Sequence, residues 1–323
     1  MFVDNYTVET QYSCPLKCTV KRYRQDVDER PGFILIFAHG TGFHKEHWEV
    51  TIQRIFALDT LSLVREAWAV DAQTHGDAAA LNEEAMKDPD FKYSVRDYAE
   101  ACANVYKTYL ANRIQKGKYR VILIGHSAGA SSAALATSFL DHIPFAALVL
   151  IEPTIWPEEL TGPEHDSPIV ALAAQAIPQR RDHWKSREDA RRYLVKRIPW
   201  NMWDPRILDI YVEHGLRPDT SNGGVRLKCP PRHEAYPFVN IQEAVFPIAE
   251  LERVKGKLAV HLVYGEREEM ISREKQEALQ KVGKITSVTQ IPDAGHLVVQ
   301  EAPDLLGDAI WNIIRGVDRS VKL

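Results

Sequence analysis

The chain has 323 residues, 45% of them hydrophobic and 26% charged, with 40 Lys and Arg against 44 Asp and Glu for a formal net charge of -4. That balance excludes a generally basic nucleic-acid binder, and the length allows a sizeable buried core in one large domain or two smaller ones. The longest apolar runs, such as residues 33–38 and 146–151, fall far short of the ~20 residues that cross a bilayer. No transmembrane segment is therefore expected. The opening MFVDNYTVETQYS lacks a basic stretch followed by an apolar one, so no secretory signal is expected and an intracellular compartment is the default. Four cysteines (Cys14, Cys18, Cys102 and Cys229) are too sparse for a disulfide framework. The one close pair, Cys14 and Cys18, lacks a second Cys/His pair at ligand spacing, so no metal site is expected.

Taken in chain order, the first predicted element is an imperfectly alternating stretch at 16–25, read as an antiparallel edge strand. Short apolar runs rich in β-branched residues follow at 32–38, 65–70, 119–125, 146–151, 258–264 and 285–291. Helix-length amphipathic segments separate them, the pattern of an α/β protein with a mainly parallel sheet covered by helices. Between the fourth and fifth of these runs, the region 153–251 is rich in proline and holds four of the seven tryptophans: Trp156, Trp184, Trp200 and Trp203. Ordinary strand-to-helix connections are far shorter, so this region is expected to be an inserted helical lid over a core made of 1–152 and 252–323.

The most informative segment is VILIGHSAGASSAALA, in which an apolar strand runs into Gly125-His126-Ser127-Ala128-Gly129 and then an alanine-rich helix. Gly-x-Ser-x-Gly between strand and helix is a nucleophile elbow: the turn is too sharp for larger side chains at the glycines and lifts the serine above the sheet edge. Ser127 is the expected nucleophile. A serine hydroxyl needs a general base, and His296 in IPDAGHLVVQEAP follows the last predicted strand and would overhang the same edge. His126 is next to the serine, but successive residues point different ways, so a structural role is expected for it.

Two places supply a carboxylate that could fix the histidine tautomer. Glu152 ends the strand after the elbow helix, in LVLIEPTIW; Glu266, Glu268 and Glu269 follow the next strand, in VYGEREEM. An unpaired carboxylate among the apolar neighbours of Glu152 would be costly, which favours Glu152 as the acid and leaves Glu268 as the alternative. The fourth element is FAHGTGFHKEHW, a strand opening into His39-Gly40-Thr41-Gly42. Acyl transfer needs about two N–H donors on the developing oxyanion, and these are assigned to Thr41 and Ala128. Nothing has the form of a P-loop or a dinucleotide fingerprint, and no cofactor is expected.

This order of strand, HGTG loop, GHSAG elbow, insert and terminal GH before a last helix resembles the α/β-hydrolase superfamily over roughly residues 16 to 317. Within it, HGTGFHKEHW, GHSAGA, LVLIEPTIW, HWKSREDA and WDPRILDIYVEHGL resemble a mostly fungal family of peroxisomal lipase-like hydrolases, toxin-biosynthesis hydrolases and an acyl-CoA hydrolase of mycophenolic acid synthesis. The resemblance implies an α/β-hydrolase fold and places the acid after the strand that follows the nucleophile, usually as Asp before Pro. Here Glu152 stands before Pro153 and reaches about 1.5 Å farther, by one C–C bond. Epoxide hydrolases of this fold carry an Asp where Ser127 stands, so epoxide opening is disfavoured.

The resemblance also implies a peroxisomal or cytoplasmic protein, since many members end in a peroxisomal tripeptide and this sequence ends Val321-Lys322-Leu323, with Val an unusual first member. The segment 179–197 holds eight Lys/Arg against three Asp/Glu, which reads either as a solvated helix face or as an attractor for the phosphates of a coenzyme A thioester. The expected function is thus a cofactor-independent serine hydrolase acting on a thioester or ester of a hydrophobic acyl or polyketide-type substrate, with acyl-CoA favoured. Alternatives are an esterase or lactonase, a carbon–carbon bond hydrolase, and a non-catalytic receptor with a lidded pocket.

Overall fold

A strand apolar at nearly every position must be covered on both faces, and the runs foreseen as central strands are buried almost throughout. The computed structural model describes residues 1–25, 30–114, 117–240 and 242–319; the Val321-Lys322-Leu323 end lies outside them. In chain order the strands are β1 (Phe2–Thr10), β2 (Leu16–Arg24), β3 (Gly32–Ala38), β4 (Val64–Val70), β5 (Tyr119–His126), β6 (Phe145–Ile151), β7 (His183–Trp184), β8 (Leu216–Pro218), β9 (Val225–Leu227), β10 (Ala259–Gly265) and β11 (Ile285–Ile291).

Eight of them form one sheet in the order β1-β2-β4-β3-β5-β6-β10-β11. β1 and β2 make an antiparallel hairpin, β2 joins β4 antiparallel, and the remaining neighbours are parallel. This is the expected α/β hydrolase architecture, with β1 added at the edge. Only alternate residues of β1 (Tyr6, Val8 and Thr10) turn inward, and with two polar members among them the run carries a weak apolar signal.

Each face of the sheet has its own core. On one, helices Val95–Val105, Ala128–Ala136, Gln242–Arg253 and Arg273–Val282 contribute Tyr98, Ala133, Leu251 and Leu279. On the other, Glu49–Leu58 and Pro303–Arg319 contribute Ile52, Ile55, Ile310 and Ile314. Residues Gly129 to Ala136 are all buried, which accounts for their small side chains. The serines among them are satisfied: Ser132 Oγ donates to the Val95 carbonyl at 2.9 Å and Ser131 Oγ to the Thr154 carbonyl at 3.0 Å.

The segment between β6 and β10 contains helices Pro168–Ala176, Arg187–Leu194, Pro205–His214 and Pro231–Val239 before Gln242–Arg253, together with a small antiparallel sheet ordered β7-β9-β8. Strands of two or three residues are too short to carry a periodicity. This segment has its own core, in which Trp184 and Trp203 pack with Ile207, Tyr211 and Leu227, and Trp200 lies against them. Among the described residues no helix is long and apolar enough to cross a membrane.

Glu66 in β4 is a buried charge on which the edge of the sheet depends. It takes two bonds from Arg113, at 2.6 and 3.0 Å, one from Trp68 Nε1 at 2.8 Å, and a close ion pair from Arg22. Burial alone would raise its pKa, but the two guanidiniums outweigh it and hold the carboxyl below the ordinary 4.5. We predict that Glu66→Gln destabilises the fold by about 2–3 kcal/mol at neutral pH, below the usual cost of breaking a buried pair because Arg113 keeps some solvent contact. A lowered folded pKa stabilises fully above the unfolded value and is lost as the pH falls through the folded one. Urea titrations of wild type and variant should therefore converge in acid; a gap that persists on acidification contradicts the assignment.

Candidate active site

Register decides which residues meet. Ala38 of β3 pairs with Gly125 of β5, which pairs with Leu150 of β6, while Gly265 of β10 pairs with Ile291 of β11. The carboxyl ends of these strands therefore lie along one edge, the usual place for a ligand in an open α/β sheet. Immediately beyond them come Gly40 and Thr41, Ser127, Glu152, Glu266 and His296.

Ser127 sits at φ 54°, ψ −123°, outside the regions most side chains adopt, and its N–H donates to the Ile151 carbonyl at 2.9 Å. Glycine is required on both sides for lack of space. A Cβ on Gly125 would come 2.2 Å from the Gly129 carbonyl oxygen, and one on Gly129 would come 2.4 Å from those of Ala38 and His39.

Serine, histidine and glutamate form a continuous hydrogen-bonded chain. Ser127 Oγ lies 3.0 Å from His296 Nε2, and His296 Nδ1 lies 3.0 Å from Glu152 Oε2. The tautomer that satisfies both contacts has Nδ1–H donating to the carboxylate and Nε2 accepting from the hydroxyl. All three are buried, Ser127 at 8%, Glu152 at 3% and His296 at 2% exposure. The second Glu152 oxygen accepts from the Gly265 N–H at 2.7 Å, and Glu152, itself in the left-handed region at φ 45°, donates its N–H to the Val263 carbonyl at 2.8 Å.

Glu268 is placed elsewhere. It is half exposed and receives the side chain and backbone N–H of Arg273, at 3.0 and 3.1 Å. Its neighbours brace the histidine loop: Glu269 accepts from the His296 N–H at 3.1 Å, Glu301 accepts from the Gly295 N–H at 3.0 Å, and Arg267 joins the two carboxylates at 3.0 and 2.6 Å. The signal for this brace was the charged EREEM run, whose partners stand some thirty positions away.

His126 acts structurally, as its place in the strand suggested. Burial above all, with His296 adding to it, draws its pKa down to about 3, so the ring is neutral and Nε2–H donates to the His296 carbonyl at 2.8 Å. His39 is similarly neutral, drawn down to about 4 by burial despite Asp71. Its ring accepts from the Ala72 N–H at 3.1 Å and donates to the Gly40 carbonyl at 2.8 Å, while the Gly42 N–H reaches His75 Nε2 at 2.9 Å. A Cβ on Gly40 would lie 2.8 Å from His126 Nδ1 and 3.1 Å from Ser127 Cβ, so only glycine brings this loop over the serine.

Thr41 and Ala128 line the same cavity as Ser127. Ala128 begins the elbow helix, whose first N–H groups have no intrahelical acceptor. A serine hydrogen-bonded to a base that is itself oriented by a carboxylate, at the wall of a cavity, is an arrangement capable of nucleophilic acyl transfer.

The cavity over Ser127 has a volume of about 70 Å³ and is roofed by Trp156, Val170, Pro237, Phe238 and Met270. Of the four insert tryptophans, only Trp156 reaches it. The basic segment 179–197 spends most of its charge locally: Arg191 pairs with Asp209, Arg181 and Arg192 with Asp189, Arg187 with Glu213, and Arg197 stacks on Tyr193. Arg180, paired in two bonds with the buried Glu234, is the one cation of the segment at a separate groove of about 460 Å³, lined also by Lys87, Arg217, Arg226, Lys228 and Arg232 against Glu83 and Asp182.

The model of the Alpha/beta hydrolase family matches residues 35–309, and the chain belongs to that family. It is 27% identical over 290 residues to the peroxisomal membrane protein LPX1 of Saccharomyces cerevisiae, covering 85% of this chain and 73% of that protein. The crystal structure of that yeast α/β-hydrolase superposes with a TM-score of 0.81 at 22% identity, over 99% of this chain and 90% of that one. The abhydrolase domain-containing protein AFT2-1 of Alternaria alternata is 25% identical over 225 residues, 59% of this chain and 81% of that protein. E-2-(acetamidomethylene)succinate hydrolase has the same fold, with a TM-score of 0.69 at 20% identity over 97% of this chain and all of that one.

The contact pattern separates the two carboxylates experimentally. Glu152→Gln is expected to lower Ser127-dependent turnover of an activated ester by on the order of 10⁴-fold, the cost of disturbing the tautomer in a triad. Glu268→Ala should leave it within about twofold, since removing a surface pair costs little. Steady-state kinetics on the two variants decide the matter, and the reverse order would move the acid to the later strand.

Proposed function

We propose that this hydrolase-family protein is a serine hydrolase cleaving a thioester or ester of a hydrophobic acyl or polyketide-type substrate, with an acyl-CoA thioester favoured. The reading is carried by the 3.0 Å contact between Ser127 Oγ and His296 Nε2 in a buried site whose other imidazole nitrogen is held by Glu152. Ser127 attacks the carbonyl carbon as its proton passes to His296 Nε2, and the Thr41 and Ala128 amides hold the oxyanion. Collapse of the tetrahedral intermediate breaks the bond to the leaving thiolate or alkoxide, which takes the proton from the imidazolium. Water, activated by the same histidine, then releases the acid and restores the serine.

Residues 153–251 serve as the lid in this proposal. A space of about 70 Å³ is far below the ~300–1,000 Å³ of sites that enclose sizeable ligands, so the roof must open to admit an acyl chain. The cationic groove supports the coenzyme A preference. Arg217 and Arg226 are directly opposed across β8 and β9, an arrangement that costs energy unless negative charge lies between them. Glu83 takes Arg217 in two bonds of 2.9 and 2.7 Å, whereas Arg226 makes no side-chain hydrogen bond or ion pair among the described residues and feels Glu83 and Asp219 only at longer range. Helix Pro231–Val239 joins the two regions, with Pro231 and Arg232 at the groove and Pro237 and Phe238 over Ser127. A peroxisomal or cytoplasmic location is proposed on the similarity to the peroxisomal yeast protein.

Free-thiol release from a panel of acyl-CoA thioesters, beside activated esters, tests the reading with wild type and Ser127→Ala. Thiol release that vanishes in the variant is expected. Ester cleavage alone would make the protein an esterase or lactonase, and failure to react with a fluorophosphonate probe would favour a receptor. For a common acyl group, Arg226→Gln should raise KM for the coenzyme A thioester about tenfold, the worth of one charge-assisted bond, and leave the pantetheine thioester unaffected. Equal effects on both would remove the groove from the substrate path.

A further inference from the structure

The segment 190–203, ARRYLVKRIPWNMW, holds four cations and no acid. It runs from the end of helix Arg187–Leu194 through a series of turns into the short helical turn Trp200–Met202. Leu194 and Trp203, both buried, anchor its two ends in the core of the insert. The backbone between them is bonded turn by turn: the Arg197 N–H donates to the Leu194 carbonyl at 2.9 Å, the Asn201 N–H to that of Arg197 at 2.9 Å and the Met202 N–H to that of Pro199 at 3.0 Å. A chain held this firmly nevertheless turns three large apolar side chains to solvent, Val195 at 40%, Ile198 at 75% and Met202 at 43% exposure. Their spacing of three and four residues matches the pitch of those turns and keeps them to one side.

The same turn holds charge that its neighbourhood leaves unspent. Lys196 is exposed and makes no side-chain hydrogen bond or ion pair among the described residues. Arg197, also exposed, donates to the Tyr193 carbonyl at 2.9 Å and lies over the Tyr193 ring, contacts that leave its charge in place. Arg192 is well exposed and meets Asp189 only at 3.6 Å, an acid that Arg181 shares. Asp204, the first acid beyond the turn, is taken by Arg206. Exposed aliphatic side chains rimmed by cations fit a surface that is apolar inside and anionic at its face. A fluid layer of that kind needs no pocket to receive a side chain that projects as far as Ile198. A second copy of the chain fits less well, since a two-fold contact would bring two sets of the same cations together.

We propose that the turn 195–202 docks the protein on an anionic lipid surface, with Val195, Ile198 and Met202 entering the acyl boundary and Arg192, Lys196 and Arg197 at the headgroup phosphates. This stands apart from the hydrolase reading and needs no chemistry at Ser127. Trp200, half-buried and between Ile198 and Met202 in the sequence, carries the kind of ring that settles at headgroup depth. The chain as a whole has a net charge of -4, so attraction to an anionic bilayer must come from a local patch. The groove around Arg226 is also cationic, but its lining includes none of the exposed large apolar side chains among the described residues, whereas the turn combines both features.

Co-sedimentation of the full chain with vesicles of phosphatidylcholine alone, and of phosphatidylcholine with about one-third phosphatidylserine, tests the proposal. Binding to the anionic vesicles is expected, weakening as salt shortens the screening length, with little binding to the neutral ones. Ile198→Ser should weaken it about tenfold, the worth of withdrawing most of one aliphatic side chain from an apolar layer. Lys196→Gln should weaken it about fivefold, the worth of one cation at the surface. Both positions are exposed, so both variants should melt as wild type does. No binding to either vesicle, equal binding to both, or binding that both variants retain in full would overturn the docking turn. A concentration-dependent dimer in sedimentation velocity that Ile198→Ser abolishes, without vesicle binding, would assign the turn to a second copy and overturn lipid docking.

Discussion

A carboxylate taken out of water must be satisfied on both oxygens or remain protonated, and Glu152 is satisfied by two different parts of the fold. One oxygen takes the last N–H of β10 and the other takes His296 from the loop after β11. Glu152 is itself fixed by β6, the neighbour of β5, which delivers Ser127. Strand order, register and the His296 loop are thus constrained together by one buried charge. The loop is held independently by His126 beneath it and by the Arg267–Glu269–Glu301 brace above. An imidazole pinned through its carbonyl, its N–H and one ring nitrogen has little freedom left, which leaves the other nitrogen aimed at the serine.

The opposite side of the site depends on a second buried electrostatic unit. Lys45, 1% exposed, bonds to Asp71 at 2.8 Å, Asp77 at 2.7 Å and Glu46 at 3.0 Å, and Asp71 also accepts from the Lys45 N–H at 2.8 Å. These carboxylates outweigh the burial that would strip the proton from Lys45 and hold its pKa above the ordinary lysine value. The HGTG loop is therefore clamped from both directions, by the Lys45 network after it and by the Tyr98 hydroxyl, which accepts from the His39 N–H at 2.8 Å and donates to the Val70 carbonyl at 2.7 Å. Backbone donors can assist chemistry only if they are already in place when charge develops, and a loop held this way needs little reorganisation.

How much of this could be read from the sequence follows the range of each signal. The central strands and the elbow were legible because their determinants are local: a continuous apolar run, two glycines at fixed offsets, and small residues in the next helix. Glu152 could be favoured over Glu268 because an acid amid LVLIEPTIW has no cheap solvent alternative, whereas EREEM does. The hairpin strand β1 was missed because Thr10 and Tyr6 replace aliphatic residues on its inner face, and β7, β8 and β9 because they are too short to show a period. The Arg267 brace and the pairing of buried Lys275 with Asp166 at 2.9 Å were hidden for another reason. Each joins residues distant in sequence, and one charged residue in a polar run looks like any other until its partner is known.

The same long-range pairing limits what the charge of 179–197 means. Eight cations in nineteen positions suggest an anion site, yet six of them are absorbed by acids or aromatic faces within the segment or brought in by others. A cation without a side-chain hydrogen bond or ion pair among the described residues also stands at Arg226, which antiparallel pairing sets against Arg217. Local charge density measures how much charge a segment must neutralise, while register determines which charge is left over. The groove where Arg226 stands and the cavity over Ser127 share one element, helix Pro231–Val239, which sends Pro231 and Arg232 to the first and Pro237 and Phe238 to the second, so the two regions are bound to one piece of backbone.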